Sequence, residues 1–265
     1  MKNLVRWRQA FVGLRVVFLD SENTAGFVKW ELLAVLTALL LLGLVTIPAI
    51  ANTKPRADRV TCVNNLRLIG RACDMWANDH RDLTPWWVNP VEGGTYGHPF
   101  QNNAWFNYNA MSNELATPMI LACPSDDQAR VALDFSANPN GGFLNPSYRN
   151  NAVSYFIGLH AVSFSAPPAS PSLSTADKAL AGDRNLRVDR VGVMCSSRIT
   201  VAAAIDVYAG SRSNAAWTNA IHGLTGNILV TDGHVEQTSN PRLVSTLMTP
   251  GYDESGGSVH LLMPR

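Results

Sequence analysis

From Leu32 to Ala51 the chain runs LLAVLTALLLLGLVTIPAIA, 20 residues without a charge. A helix rises about 1.5 Å per residue, so this run reaches about 30 Å, the thickness of a bilayer core. No other stretch matches it. The pattern therefore gives one membrane-spanning candidate near the N-terminus and a large polar remainder. A core helix rarely runs so far without a charge. A secretory signal has a shorter apolar region of about 7–15 residues. Lys29 and Glu31 stand at the start of the run, and a carboxylate there is costly unless it has a partner. Pro48 removes a backbone donor late in the segment, which membrane helices tolerate.

Beyond a polar patch from Asn52 to Asp58, apolar residues recur at Cys62, Leu66, Ile69, Cys73 and Trp76. The spacings of 4, 3, 4 and 3 make a helical stripe, with Arg59, Arg67, Arg71 and Asp74 largely off it. The spacing predicts that the spanning helix continues as an amphipathic helix to about Asp79, with its stripe packed against a globular head. Pro85 blocks further continuation. Near the C-terminus the pattern changes to strands. Asn227–Thr231 is apolar and β-branched, and His234–Thr238 alternates. Asp232-Gly233 between them predicts a hairpin with a two-residue type I′ turn, positive φ at both positions. Asn240-Pro241-Arg242 then reads as a helix cap with proline in the first turn. Long loops are expected from Val88 to Pro118 and from Phe164 to Asp177.

Charge adds an exclusion. Lys plus Arg number 21 against 20 Asp plus Glu, a balance that no strongly basic nucleic-acid binder shows. Basic residues near the apolar run lie more before it (Lys2, Arg6, Arg8, Arg15, Lys29) than after it (Lys54, Arg56, Arg59), which favours an N-terminus inside. Most of the chain is then exported, where disulfides persist. Cys62 and Cys73 are 11 residues apart on one helix, about 16 Å, too far to pair with each other. Either can reach Cys123 or Cys195, and a buried free thiol is the other alternative.

The junction before the run reads Ala25-Gly26-Phe27-Val28-Lys29-Trp30-Glu31. It resembles the class III signal of type IV prepilins and type II secretion pseudopilins. The resemblance implies cleavage after Gly26 by a membrane prepilin peptidase and N-methylation of Phe27. It also implies pairing of the Glu31 carboxylate with the N-terminal amine of a neighbouring subunit. Such a pair offsets the cost of a charge in an apolar bundle. Cys62-Val63-Asn64-Asn65-Leu66-Arg67-Leu68-Ile69-Gly70 is similar to a helix of bacterial pseudopilin-like proteins named for a C-terminal His-x9-Asp-Gly motif. His222, GLTGNILVT and Asp232-Gly233 supply that motif here. Leu121–Asp126 (LACPSD), Ser154–Leu159 (SYFIGL) and Ala181–Asn185 (AGDRN) resemble further segments of the group.

The expected fold is α+β and pilin-like: a long N-terminal helix, membrane-spanning in its first half, packed on an antiparallel β-sheet head. Its divisions are a leader (1–26), a transmembrane or filament-core helix (27–51), the amphipathic continuation (52–80) and an exported head (81–265). The expected function is a non-enzymatic filament subunit of a type II secretion or type IV pilus-like system. It is anchored in the bacterial cytoplasmic membrane as a single pass before assembly, with its head in the periplasm or in an extracellular filament. Its partners are the prepilin peptidase, other subunits and the membrane. The alternative is a membrane-anchored ligand-binding, metal-binding or enzymatic domain carrying a pilin-like leader.

His222, Asp232 and His234 are weak candidates for metal ligands, set against a structural reading in which Asp232 and Gly233 build a turn and the histidines, His222 with them, are polar loop or strand residues. Asp126, Asp127, Asp183 and Asp232 are the acidic loop residues to which calcium would bind, but no Asp-x-Asp-x-Asp-Gly run supports it. No cofactor is expected. The tryptophans beyond the apolar run, at 76, 86, 87, 105 and 217, read as core and rim packing.

Overall fold

The computed structural model describes residues 29–51, 53–159, 161–163, 172–173, 178–188, 191–192, 202–206, 215–247 and 258–264. Gly26, Phe27 and Cys195, and most of the segment 164–177, lie outside the described residues. Two compact units divide at Ala51 and Asn52. The first contributes one helix, α1 (Lys29–Ala51). Its side chains are described over 29–44 and at 46, and that continuous run spans about 24 Å. Among the described residues no helix is long and apolar enough to cross a membrane. Leu32, Leu33, Leu36, Leu39, Leu40, Leu41, Leu42 and Leu44 are each more than half exposed. Thr37 and Thr46 turn their hydroxyls back to the carbonyls of Ala34 and Leu42, so neither hydroxyl is left unpaired.

The second unit is α+β. It opens with α2 (Thr53–Asp79), whose stripe of Cys62, Leu66, Ile69, Cys73 and Trp76 is buried throughout, as the spacing predicts. The stripe faces the sheet, and Gly70 makes the approach close. A Cβ there would lie 3.2 Å from the Leu229 side chain. The helix ends where Arg81 and Asp82 take positive φ, and Pro85 begins a short 3-10 turn.

Two further helices follow, α3 (Ala104–Ala110) and α4 (Ser112–Leu115), inside the segment expected as a loop. Their propensities are poor, because Asn, Trp, Phe and Tyr fill α3. Packing decides instead: Ala104, Trp105, Tyr108, Met111 and Leu115 are buried at helical spacing.

The strands are β1 (Tyr155–Gly158), β2 (Val162–Ser163), β3 (Ser172–Leu173), β4 (Ala179–Asp183), β5 (Leu186–Val188), β6 (Val191–Gly192), β7 (Ala202–Asp206), β8 (Ala215–Trp217), β9 (Thr225–Val230), β10 (Val235–Ser239) and β11 (Ser258–Leu262). Seven form one sheet in the order β10-β9-β4-β1-β11-β7-β6, each neighbouring pair antiparallel. β2–β3 and β5–β8 are separate ribbons. β1 and β4 are buried at every position, as central strands covered on both faces must be. One face meets α2, which packs in turn on α4, and Tyr108 of α3 donates its hydroxyl to Phe156 O. On the other, Phe156, Trp217, Ile228, Val259 and Leu261 pack with Leu243 and Leu247 of α5 (Asn240–Leu247).

The β9–β10 hairpin sits where the sequence places it, but its turn is different. The Val230 N–H donates to His234 O, and Gly233 N–H donates to Val230 O. The loop therefore has three residues, Thr231, Asp232 and Gly233. Only Gly233 has positive φ, at +86°. This is a tight turn closed by a left-handed glycine, not the expected type I′ pair. Thr231, a β-branched residue, is poorly suited to the left-handed region. With Thr231 in the loop, a single glycine closes the turn.

Candidate functional site

Four segments far apart in sequence meet where α2 crosses the sheet. α2 brings Arg59, Cys62 and Asn65. The turn after Leu121 brings Cys123 and Asp126. The end of β4 brings Asp183 and Arg184, and the loop before β9 brings His222. Cys62 and Cys123 form a disulfide with Cα atoms 5.2 Å apart. This selects one pairing from the alternatives that spacing leaves open. It closes a span of 61 residues, a loop for which the chain-entropy model gives about 4 kcal/mol. Cys73 is a buried free thiol whose pKa is pushed far up, first by burial and then by Asp74.

Around the disulfide, polar groups tie the segments together. Asn65 Nδ2 donates to Ala122 O (3.1 Å), and Arg59 Nη2 donates to His222 O (2.9 Å). The Ser154 hydroxyl accepts from Cys123 N–H and donates to Asp126 Oδ2. Arg184 grips the same carboxylate in two places, Nε to Oδ2 at 2.7 Å and Nη2 to Oδ1 at 3.0 Å. Its remaining nitrogen donates to Val153 O at 3.1 Å. The LACPSD, SYFIGL and AGDRN segments thus converge on one joint. Asn185 extends it by donating to Thr218 O and Thr225 O.

The innermost groups are His222 and Asp183. His222 Nε2 lies 3.6 Å from Cys123 Sγ and 3.5 Å from Asp183 Oδ2. Asp183 Oδ2 accepts from the backbone N–H and the side-chain amide of Asn227. Its Oδ1 is buried with no hydrogen-bond partner among the described residues. Burial raises the Asp183 pKa to about 7, against the pull of the Asn227 bonds. Burial and then the Arg59 charge lower that of His222 to about 4. The imidazole is therefore uncharged at neutral pH, and the 3.5 Å approach is not an ordinary ion pair.

His222 is thus the one residue of its motif inside the joint. Asp232 and His234 are half exposed at the hairpin tip and bound to each other. Asp232 also accepts from His234 N–H, and that bond, with the paired imidazole, holds its pKa below the usual carboxylate range. The metal-capable cluster among the described residues is Cys62, Cys123 and His222, and it excludes both tip residues. The acidic loop residues are likewise dispersed. Asp126 is held by Arg184, Asp183 is buried, Asp127 is exposed and Asp232 is at the tip. Of the tryptophans, Trp76, Trp86, Trp105 and Trp217 are buried and Trp87 is partly so.

Beside the joint, a cleft of about 530 Å³ is lined in part by Asp126, Gln128, Asn150, Asn151, Arg184 and Arg187. In α1, Glu31 lies in the first turn next to Trp30, which is 78% exposed. Sequence reasoning missed Arg59, Ser154 and the Asp126–Arg184 grip, because no local spacing signals them. The available signal was a charged pair, Asp183-Arg184, at the end of an apolar strand. No family model, curated protein or solved structure matches the chain.

Proposed function

We propose that this chain is a structural, non-enzymatic subunit of a type II secretion or type IV pilus-like filament. In this reading the chain is cut after Gly26, held in the cytoplasmic membrane by the segment 27–51, and assembled through Phe27 and Glu31. The observation that carries the reading is α1. Leucines exposed along its length give it nothing to pack on within its own unit. A membrane before assembly, and a bundle of like helices after it, would both cover that surface. The Cys62–Cys123 disulfide fits an oxidising compartment outside the cytoplasm. Asp126, Ser154 and Arg184 are spent on one another, so the motif residues serve to hold the head together.

The test is intact mass and N-terminal sequencing of the membrane-extracted protein. The leader's four basic and two acidic side chains carry +2, so cleavage takes the chain from +1 to −1. Phe27, methylated, is the expected N-terminus, and Glu31→Ala is expected to enter the membrane yet fail to join sheared filaments. Retention of Met1, or a start beyond Ala51, overturns the reading. The 530 Å³ polar cleft favours the second reading, an anchored ligand-binding head. Filament incorporation that is indifferent to Glu31 would support it.

A further inference from the structure

We propose that Cys62, Cys123, His222 and Asp183 form a four-ligand zinc site when the disulfide is reduced, so that metal and disulfide are alternative clamps on one joint. This does not rest on the filament reading. Sulfur of Cys62, sulfur of Cys123 and a ring nitrogen of His222 all lie within 4.8 Å of one another, and all three residues are buried. Asp183 stands outside that group of three, with its Oδ2 3.5 Å from His222 Nε2, and becomes the fourth arm when its carboxylate closes on the two sulfurs.

Two of the distances, both at His222, have the values a tetrahedron needs. Zinc bonds of about 2.3 Å to sulfur and about 2.0–2.1 Å to nitrogen and oxygen imply an S···N edge of about 3.6 Å and an N···O edge of about 3.4 Å. Cys123 Sγ to His222 Nε2 is 3.6 Å, and His222 Nε2 to Asp183 Oδ2 is 3.5 Å. Two edges of the polyhedron are thus already laid out. The remaining requirements are separation of the two sulfurs to about 3.8 Å and approach of the Asp183 carboxylate to them, which reduction allows by side-chain rotation.

The surroundings fit a metal as well. A donor set of two thiolates, an imidazole and a carboxylate suits zinc, and does not suit calcium or magnesium. Asp183 Oδ1 is an oxygen without a partner among the described residues in a fully buried place, and Oδ2 is oriented by two donors of Asn227. Outer-shell bonds of that kind are what fix a carboxylate ligand. Charge closes too. Two thiolates, one carboxylate and Zn²⁺ sum to −1, and Arg59, which bonds the His222 carbonyl, supplies +1.

The conversion balances in two steps. A dithiol gives two electrons and two protons to the cystine and is itself oxidised to a disulfide, leaving Cys62 and Cys123 as thiols. Zinc then displaces both thiol protons to solvent, together with any proton on the Asp183 carboxyl. The reverse path needs a small-molecule disulfide as oxidant: the two thiolates give it two electrons, it leaves as a dithiol with two protons from solvent, and Zn²⁺ is released to solvent as the cystine re-forms.

The experiment uses the full chain in detergent, oxidised or reduced with a phosphine, titrated with Zn²⁺ and separately with Co²⁺. The reduced chain is expected to take up one zinc with release of two to three protons. With cobalt it is expected to show the strong visible absorption of a four-coordinate thiolate site. The oxidised chain should do neither. Cys73→Ser and Cys195→Ser should leave binding intact. Cys62→Ser or His222→Ala should weaken it by about tenfold or more, and Asp183→Asn by about tenfold. Equal uptake by reduced and oxidised protein overturns the proposal without needing any variant to fold. Undiminished binding by Cys62→Ser or Asp183→Asn overturns the ligand set, as does cobalt absorption of octahedral type.

Discussion

Replacing Arg184 with alanine should be among the most damaging single changes outside the apolar core. The guanidinium makes two bonds to Asp126 and one to Val153 O. The side chains of Arg184 and Asp126 are only 15% and 4% exposed, so water screens the pair little. Breaking a buried pair by removing one partner costs about 3–5 kcal/mol, because the other charge is left behind. Two donors stay on Asp126, the Ser154 hydroxyl and Gln128 N–H, which places the expected cost near the lower end, about 3 kcal/mol. For a unit of this size each kcal/mol moves the midpoint about 2–4 °C, so the fall should be about 6–12 °C. The assay is thermal and urea unfolding of residues 52–265, followed by circular dichroism, with Arg184→Lys and the double variant Asp126→Asn/Arg184→Met alongside. Lysine keeps the charge but not the two-point grip and should fall between wild type and alanine. The double variant removes both charges and should recover much of the loss. A fall below about 2 °C for the alanine variant would refute the reasoning, as would strictly additive costs in the double variant.

Two other predictions concern glycines. Gly226→Ala would set a Cβ 2.5–2.6 Å from three ring atoms of Trp217, and that ring is fully buried and pinned through its N–H to Thr238. It should cost about 1–3 kcal/mol and alter tryptophan fluorescence; a wild-type melting curve would mean that the ring moves freely. At the hairpin tip a Cβ on Gly233 meets nothing within 4 Å, so Gly233→Val tests backbone conformation alone. It should cost about 1–2 kcal/mol, and Asp232→Asn should cost less, since Asn can still accept from His234 N–H; the reverse order in melting would count against the turn.

What the sequence makes legible here is local. The buried stripe of α2 follows from spacings of 3 and 4, and each of its five residues is in the core. Asp-Gly marks the hairpin, but the type of turn depends on whether Thr231 joins the loop, which the dipeptide does not report. α3 hides because its residues are weak helix formers, and only the burial of Trp105, Tyr108 and their neighbours makes it a helix. The joint is the least legible part. Cys123 and His222 are 99 positions apart, and Asp126 and Arg184 are 58 apart. Nothing in spacing brings such residues together; the order of strands in the sheet does. The motif segments were visible one by one, and their meeting was not.

The position of the disulfide along the chain has a mechanical meaning. A pull applied at the N-terminal end of α2 reaches Cys62 after one covalent path and can then cross directly to Cys123. The intervening 60 residues, which include most of α2, all of α3 and α4 and the 3-10 turns around them, are by-passed by the load. Tension enters the sheet through the Arg59–His222 bond, the LACPSD turn and the Arg184 grip, and the covalent route by-passes the backbone of the most helix-rich part of the head. Reduction removes the short cut, and the same pull would then peel α2 from the sheet one turn at a time.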